Sequence, residues 1–196
     1  MTEKRRYELR RRAEGVAETR RRITEATVGL HLEVGPAATQ ISEIARRAGV
    51  GRVTVYSHFP DDASLLGACS AHWRALHPAP DPSAWAAIDD PGERLRAALG
   101  ALFAWYRETA PMTANVLRDA ESLPALKAII DGGLGRYLAA VQGLLVRPFR
   151  ARGRRRARIE AAARAAVGFH LWQALAPLGD AEAADLAAGL IERAAA

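Results

Sequence analysis

The sequence predicts an all-α protein, with an N-terminal three-helix unit followed by a larger helical domain. Three observations predict it. Apolar residues recur at helical spacing along most of the 196 residues. Strand-type alternation is almost absent, and runs rich in Val, Ile and Thr are short. Pro and Gly fall between the apolar stripes, where helices start and stop. The length allows one large domain or two small ones with a real core. The balance of 49% apolar and 26% charged residues is that of a globular chain.

The elements follow in order. Ile23, Ala26, Thr27, Leu30 and Val34 share one helical face, which Gly35-Pro36 ends. Ile41, Ile44, Ala45 and Ala48 form a second stripe, with Thr39 as its expected N-cap and Gly49 as its stop. A short segment runs from Arg52 to Phe59. Pro60-Asp61-Asp62 then opens a helix through Leu65, Leu66, Cys69 and Trp73 towards His77, with acids at its positive end. Residues 78–92 hold four prolines and read as a hinge or linker. Leu95, Ala98, Leu99, Leu102, Phe103 and Tyr106 make an amphipathic helix expected to stop before Pro111, with a short helix over 112–122. Pro124 opens a long helix through Leu126, Tyr137, Val141 and Leu145, weakened at Gly132-Gly133 and ended by Pro148. Arg147 to Arg158 is expected to be a solvated, Arg-rich loop. Two last helices are expected over about 157–176 and 180–194. The first is apolar around its whole circumference, which requires cover on more than one side. The second carries Ala183, Leu186, Ala187, Leu190 and Ala194. Together they suggest a homodimer built on a four-helix contact.

Charge is unevenly placed. Residues 1–60 hold 12 Lys/Arg against 7 Asp/Glu, and residues 61–196 hold 16 against 15. A basic first third points to a polyanionic partner. Residues 1–18 read as a basic arm, on composition a solvated tail that can still touch phosphate. The lone Cys69 excludes an intrachain disulfide and a four-Cys zinc site. No uncharged apolar run of about 18 residues is seen, so no membrane span is expected. Charged residues stand where a signal peptide needs an apolar stretch, so a cytoplasmic setting is expected. No metal or cofactor is expected. A membrane- or RNA-associated protein acting through its arm remains an alternative. An enzyme is a weaker one, because no nucleophile–base motif is present.

The informative stretch is Thr39 to Phe59. Small Ala45 admits a second helix close by, Gly49 permits a tight left-handed turn, and Val50 and Val55 can fill the angle. Two helices joined by such a turn form a unit whose second helix enters the major groove. Thr39, Ile44, Ala45, Ala48, Gly49, Val50, Thr54, Val55, Tyr56, His58, Phe59 and Leu65 match the pattern of TetR-family transcriptional regulators, and over about residues 20–70 the chain resembles that family. The departures are Gly51, where a capping Ser is common, Val53, where Gly or Ala is common, and Asp62, where many members carry a Lys.

The resemblance implies a helix-turn-helix DNA-binding domain at 19–66 and an effector-binding and dimerisation domain at 67–196. It implies a repressor on palindromic double-stranded DNA, released by a small, largely apolar effector. Arg52 is expected to read guanine, with Val53 close to the bases and Gly51 among the DNA-binding positions. Thr54, Tyr56, His58, Arg46 and the Thr39 backbone N–H are expected to contact phosphate. Phe103, Trp105, Tyr106, Met112, Leu117, Tyr137, Phe169 and Trp172 are candidate effector-pocket walls, with Arg118, His170 and Gln173 as polar contacts inside it.

Overall fold

The computed structural model describes the backbone of residues 3–196 and the side chains of residues 6–196. All regular structure among the described residues is helical. The chain forms two compact units, Met1–His77 with Ala114–Ile129, and Pro78–Thr113 with Ile130–Ala196.

In the first unit, α1 (Glu3–Glu33) packs on α2 (Ile41–Ala48) and α4 (Asp62–Leu76), and α2 packs on α3 (Arg52–His58). The helix marked by the Ile23 stripe therefore begins at Glu3, and residues 3–18 of the basic arm are not a tail but its first half. The stretch is dense in Arg, Glu and Ala, all strong helix formers. Arg10 pairs with Glu14 at 2.8 Å, and Arg21 pairs with both Glu18 and Glu25. Every described side chain from Arg6 to Glu18 is exposed. The side chains of Lys4 and Arg5 lie outside the described residues. The core forms where the α1 stripe meets the others: Ile23, Thr27, Leu30, Ile44, Ala45, Val55, Phe59 and Leu65 are all buried. Buried Thr27 satisfies its hydroxyl on the Ile23 carbonyl at 2.8 Å.

Thr39 is not the N-cap of α2. Gln40 holds that position without a side-chain cap, and the Thr39 hydroxyl instead donates to the Gly35 carbonyl at 2.8 Å. The turn after α1 captures Thr39 because Gly35, at φ 87°, aims its carbonyl back at it. Asp61 does cap α4, accepting from the Ser64 N–H at 2.7 Å. The C-terminal end of α6 (Pro91–Ala120) and α7 (Pro124–Ile130) complete this unit.

The second unit departs from expectation in four places. Residues 78–92 are not an open linker: they contain α5 (Ser83–Ala86), whose Trp85 is buried, and the Tyr137 hydroxyl donates to the Pro80 carbonyl at 2.9 Å. Pro111 does not stop its helix. The helix α6 runs from Pro91 to Ala120. A proline within a helix costs about 3 kcal/mol, but the stripe Leu95, Leu99, Leu102, Tyr106, Thr109, Met112 and Thr113 is buried on both sides of it, and exposed Pro111 sits on the opposite face.

Gly168 splits the expected 157–176 helix. Its extended backbone (φ −76°, ψ 138°) separates α9 (Gly153–Ala166) from α10 (Phe169–Leu175). The Arg-rich run is a loop only in its first half: Arg147, Arg150 and Arg152 lie in the connection before α9, whereas Arg154 to Arg158 fill its first turns. There Arg155 caps the Ala195 carbonyl and Arg156 pairs with Glu160 at 2.6 Å.

The long helix over 124–146 is α7, a π-helical turn at Asp131–Gly135 and α8 (Arg136–Val146), so the glycine pair marks a change of winding. By length and composition this stretch reaches the range of a membrane-crossing helix, with mean hydropathy 1.2, although it is not an uncharged run. It carries Lys127, Asp131 and Arg136, and its Leu126, Val141 and Leu145 are buried in the helical packing. The last helix, α11 (Asp180–Ala195), packs on α9, with buried Ala163, Ala166, Ala183 and Ala187 permitting close approach around Ile159 and Ile191.

Candidate nucleic-acid interface

The corner between α2 and α3 is a closed helix stop. Gly49 takes the left-handed conformation at φ 63° and donates to the Arg46 carbonyl at 3.2 Å. Val50 donates to the Ala45 carbonyl at 3.0 Å. This pair of bonds satisfies carbonyls the helix would otherwise leave open. Two arginines of α1 finish the work. Arg22 donates to the Ala48 and Gly49 carbonyls at the end of α2. Arg20 donates to the His58 carbonyl at the end of α3, at 2.5 Å, and lies 4.0 Å over the Phe59 ring. Sequence reasoning missed both. Their acceptors are backbone carbonyls 26 and 38 positions away, and no spacing rule marks such a contact.

So held, α3 buries one residue fully and presents the rest. Val55 is 0% exposed, whereas Val53 is 83% and Tyr56 49% exposed. Arg52 and Ser57 are exposed, and Thr54 and His58 are half-buried. An exposed valine and tyrosine on a seven-residue helix leave apolar surface without cover inside the unit. The helix contains no acidic residue. Among the described residues the Arg52 guanidinium has no hydrogen-bond or ion-pair partner. The face is therefore cationic, protruding and open. Gly51 precedes it in extended backbone, exposed and without a side-chain cap.

Two expected contacts differ. The Thr39 N–H donates to the Pro36 carbonyl at 3.2 Å, so it is not the open donor expected at a helix start. Arg46 is exposed but held by Glu43 through two bonds of 2.7 and 2.8 Å. Arg47 bridges Glu33 and Glu43. Hydrogen bonds from Arg46 and Arg47 hold the Glu43 carboxyl at about 2, so it stays charged, and Arg46 reaches phosphate only by leaving it.

The expected pocket walls do not form one set. In the second unit Trp105, Tyr106, Tyr137, Phe169 and Trp172 make a cluster with ring centroids 5.2 to 6.3 Å apart. Phe103 and Met112 are buried as well. Tyr106 donates to the Val167 carbonyl at 2.8 Å. Among the described residues the Trp172 indole N–H has no hydrogen-bond acceptor. His170 and Gln173 do not face inward. The break at Gly168 sets Phe169 and Trp172 towards the core and leaves these two exposed. Leu117 and Arg118 belong to the first unit. There Arg118 is bound to Asp119 at 2.7 Å and to Asn115 at 2.9 Å.

Residues 23–69 match the family of bacterial regulatory proteins of the tetR type. The chain also resembles solved structures along most of its length. A TetR family transcriptional regulator, PfmR, from Thermus thermophilus is 23% identical, with TM-score 0.60 over 87% of this chain and 97% of that one. A TetR transcription regulator from Haloarcula marismortui is 15% identical, with TM-score 0.56 over 91% and 97%. RolR in complex with resorcinol is 21% identical, with TM-score 0.52 over 93% and 94%. No curated protein matches the chain. At these identities the structures speak for the fold, and the matched segment covers α2 and α3 whole, with the end of α1 and the first half of α4. Residues 23–69 therefore carry a domain of the tetR type of bacterial regulatory proteins, and the helical fold around them is shared with solved TetR-family regulators.

Proposed function

We propose that the protein is a homodimeric repressor that binds an inverted-repeat operator and leaves it when a small, largely apolar molecule binds the larger helical unit. One observation carries the reading: α3 turns outward an Arg52 without a partner among the described residues, an exposed Val53 and a half-exposed Tyr56, with no acid among them. Arg52 bonds guanine O6 and N7. Thr54, Tyr56 and His58 contact phosphate, Arg46 joins them on release from Glu43, and Gly51 and Val53 sit close to the bases.

Pairing uses the outer faces of α9 and α11. Leu186 and Leu190 are 49% and 45% exposed, one turn apart on α11, and Ala157, Ala161 and Ala165 lie exposed at four-residue spacing on α9. Twofold pairing sets two copies of α3 about 34–36 Å apart, one turn of duplex. The aromatic cluster around Tyr106 is the ground for an apolar effector, and RolR, of the same fold, was solved with the small aromatic resorcinol. Release follows if the effector prefers a spacing that the duplex does not accept. Such a protein works where the chromosome is, in the cytoplasm.

The test is selection of bound duplexes from a random pool, followed by titration of Arg52→Ala and Tyr56→Phe on the selected site. An inverted repeat, with both variants weakened and still dimeric, supports the reading. No enriched sequence, or two variants that bind as tightly as the parent at low salt, overturns it.

A further inference from the structure

The first unit contains a cavity of about 300 Å³ beside the helix-turn-helix. Ile41 and Ile44 of α2 and Leu65 and Leu66 of α4 form two walls, and Pro124 and Ala125 at the start of α7 form a third. Nine of its twelve lining residues are apolar, so the space favours a ligand of the same kind. An apolar void of about 150 Å³ is enough to take up benzene.

Three polar residues line it: the Thr39 hydroxyl is spent on the Gly35 carbonyl, and His31 and Asp62 give the site direction. His31, on the last turn of α1, lines the cavity and is only 6% exposed, yet no described protein group hydrogen-bonds its ring. An imidazole at a cavity wall without a protein partner is an open donor and acceptor. Burial lowers its pKa to about 4, against the opposing pull of the Asp119 carboxylate, so at neutral pH it offers one N–H and one lone pair. At the mouth stands Asp62, exposed, and no Lys or Arg lines the wall. An anion would find no counter-charge there.

We propose that this cavity binds an uncharged, largely apolar molecule of one or two rings whose hydroxyl or ring N–H bonds to the His31 imidazole. The site is separate from the aromatic cluster of the second unit and does not depend on the operator reading. Its walls belong to α2 and α4, the helices before and after α3, so occupancy acts on the spacing across the helix-turn-helix itself.

The experiment is NMR of the full-length protein with its histidine rings labelled with ¹⁵N, the His31 signals assigned by their loss in His31→Gln. Phenol is titrated as the probe, with benzoate as its anionic counterpart. Phenol is expected to shift the His31 signals saturably at up to millimolar concentration, and benzoate to leave them in place. Ala125→Phe and Leu66→Trp, which fill the space from its rim, should weaken the phenol response at least tenfold while the helical circular dichroism is kept. Unmoved His31 signals, an equal response to benzoate, or an undiminished response in whichever of the two variants stays folded each overturns the proposal.

Discussion

Replacing Gly35 by Ala should destabilise the first unit by about 3 kcal/mol, because two separate penalties meet at that residue. Gly35 closes α1 at φ 87°. A residue with a Cβ in the left-handed region costs about 1–2 kcal/mol. A Cβ there would also stand 2.5 Å from the Asp119 carboxylate oxygen and closer still to the Arg118 guanidinium. Arg118 is flexible and can swing away. Asp119 cannot do so freely, because it is buried and accepts from the Ala37 N–H at 2.9 Å. Loosening a buried charge-assisted bond costs about 1.5–3 kcal/mol. Partial relaxation brings the total to about 3 kcal/mol rather than the full sum. The assay is urea unfolding at fixed protein concentration, reading the midpoint with an unchanged slope. Gly35→Asn separates the two penalties: asparagine tolerates the left-handed region better but brings the same Cβ, so it should recover about 1 kcal/mol only. A loss below about 1 kcal/mol for Gly35→Ala would refute the reasoning.

Other outcomes follow from the same geometry. His31 has a folded pKa of about 4 against 6.5 unfolded, so the unfolded chain takes up a proton first. Stability should be full above pH 6.5 and fall by about 3 kcal/mol on descending to pH 4, and His31→Gln should flatten that slope in a pH series of unfolding curves. Arg20→Ala removes the cap on α3 and should cost about 1 kcal/mol of stability, discounted for exposure, with a larger loss in operator affinity by gel shift. Leu186→Glu with Leu190→Glu should give a folded monomer in sedimentation, since the pair places charge on the proposed twofold face.

Helix class and the helix-turn-helix were legible because both rest on local signals. Ile44, Ala45, Ala48 and Gly49 lie within six residues and state a helix face and its stop together. Long-range competition was not legible. Pro111 reads as a stop on its own, and only the buried stripe from Leu95 to Thr113 overrides it. Gly168 lies in an apolar run that reads as continuous helix, and its break decides that Trp172 faces inward and Gln173 outward. Thr39 shows the same limit at one residue. A threonine just before a helix reads as a cap, but the left-handed Gly35 offers its hydroxyl an acceptor four residues earlier. On α3 the outward residues could be named from the motif, while the arginines that hold the helix in place could not.

The arginines also change what the basic first third means. Counted along the chain, its surplus suggests a broad electrostatic footprint on DNA. In the structure most of that charge between Arg20 and Arg52 is already engaged. Arg20 and Arg22 cap carbonyls, Arg21 holds Glu18 and Glu25, and Arg46 and Arg47 share Glu43. Arg52 is the member of that set without a partner among the described residues. A cation already paired with a carboxylate releases fewer counterions on meeting phosphate than a free one, because its pair must first open. The salt dependence of binding should therefore follow the few free groups of this segment and not its formal charge. On the operator reading proposed above, sequence preference would rest on contacts made by α3, and the caps from Arg20 and Arg22 would serve that contact by holding the helix, without either side chain touching DNA.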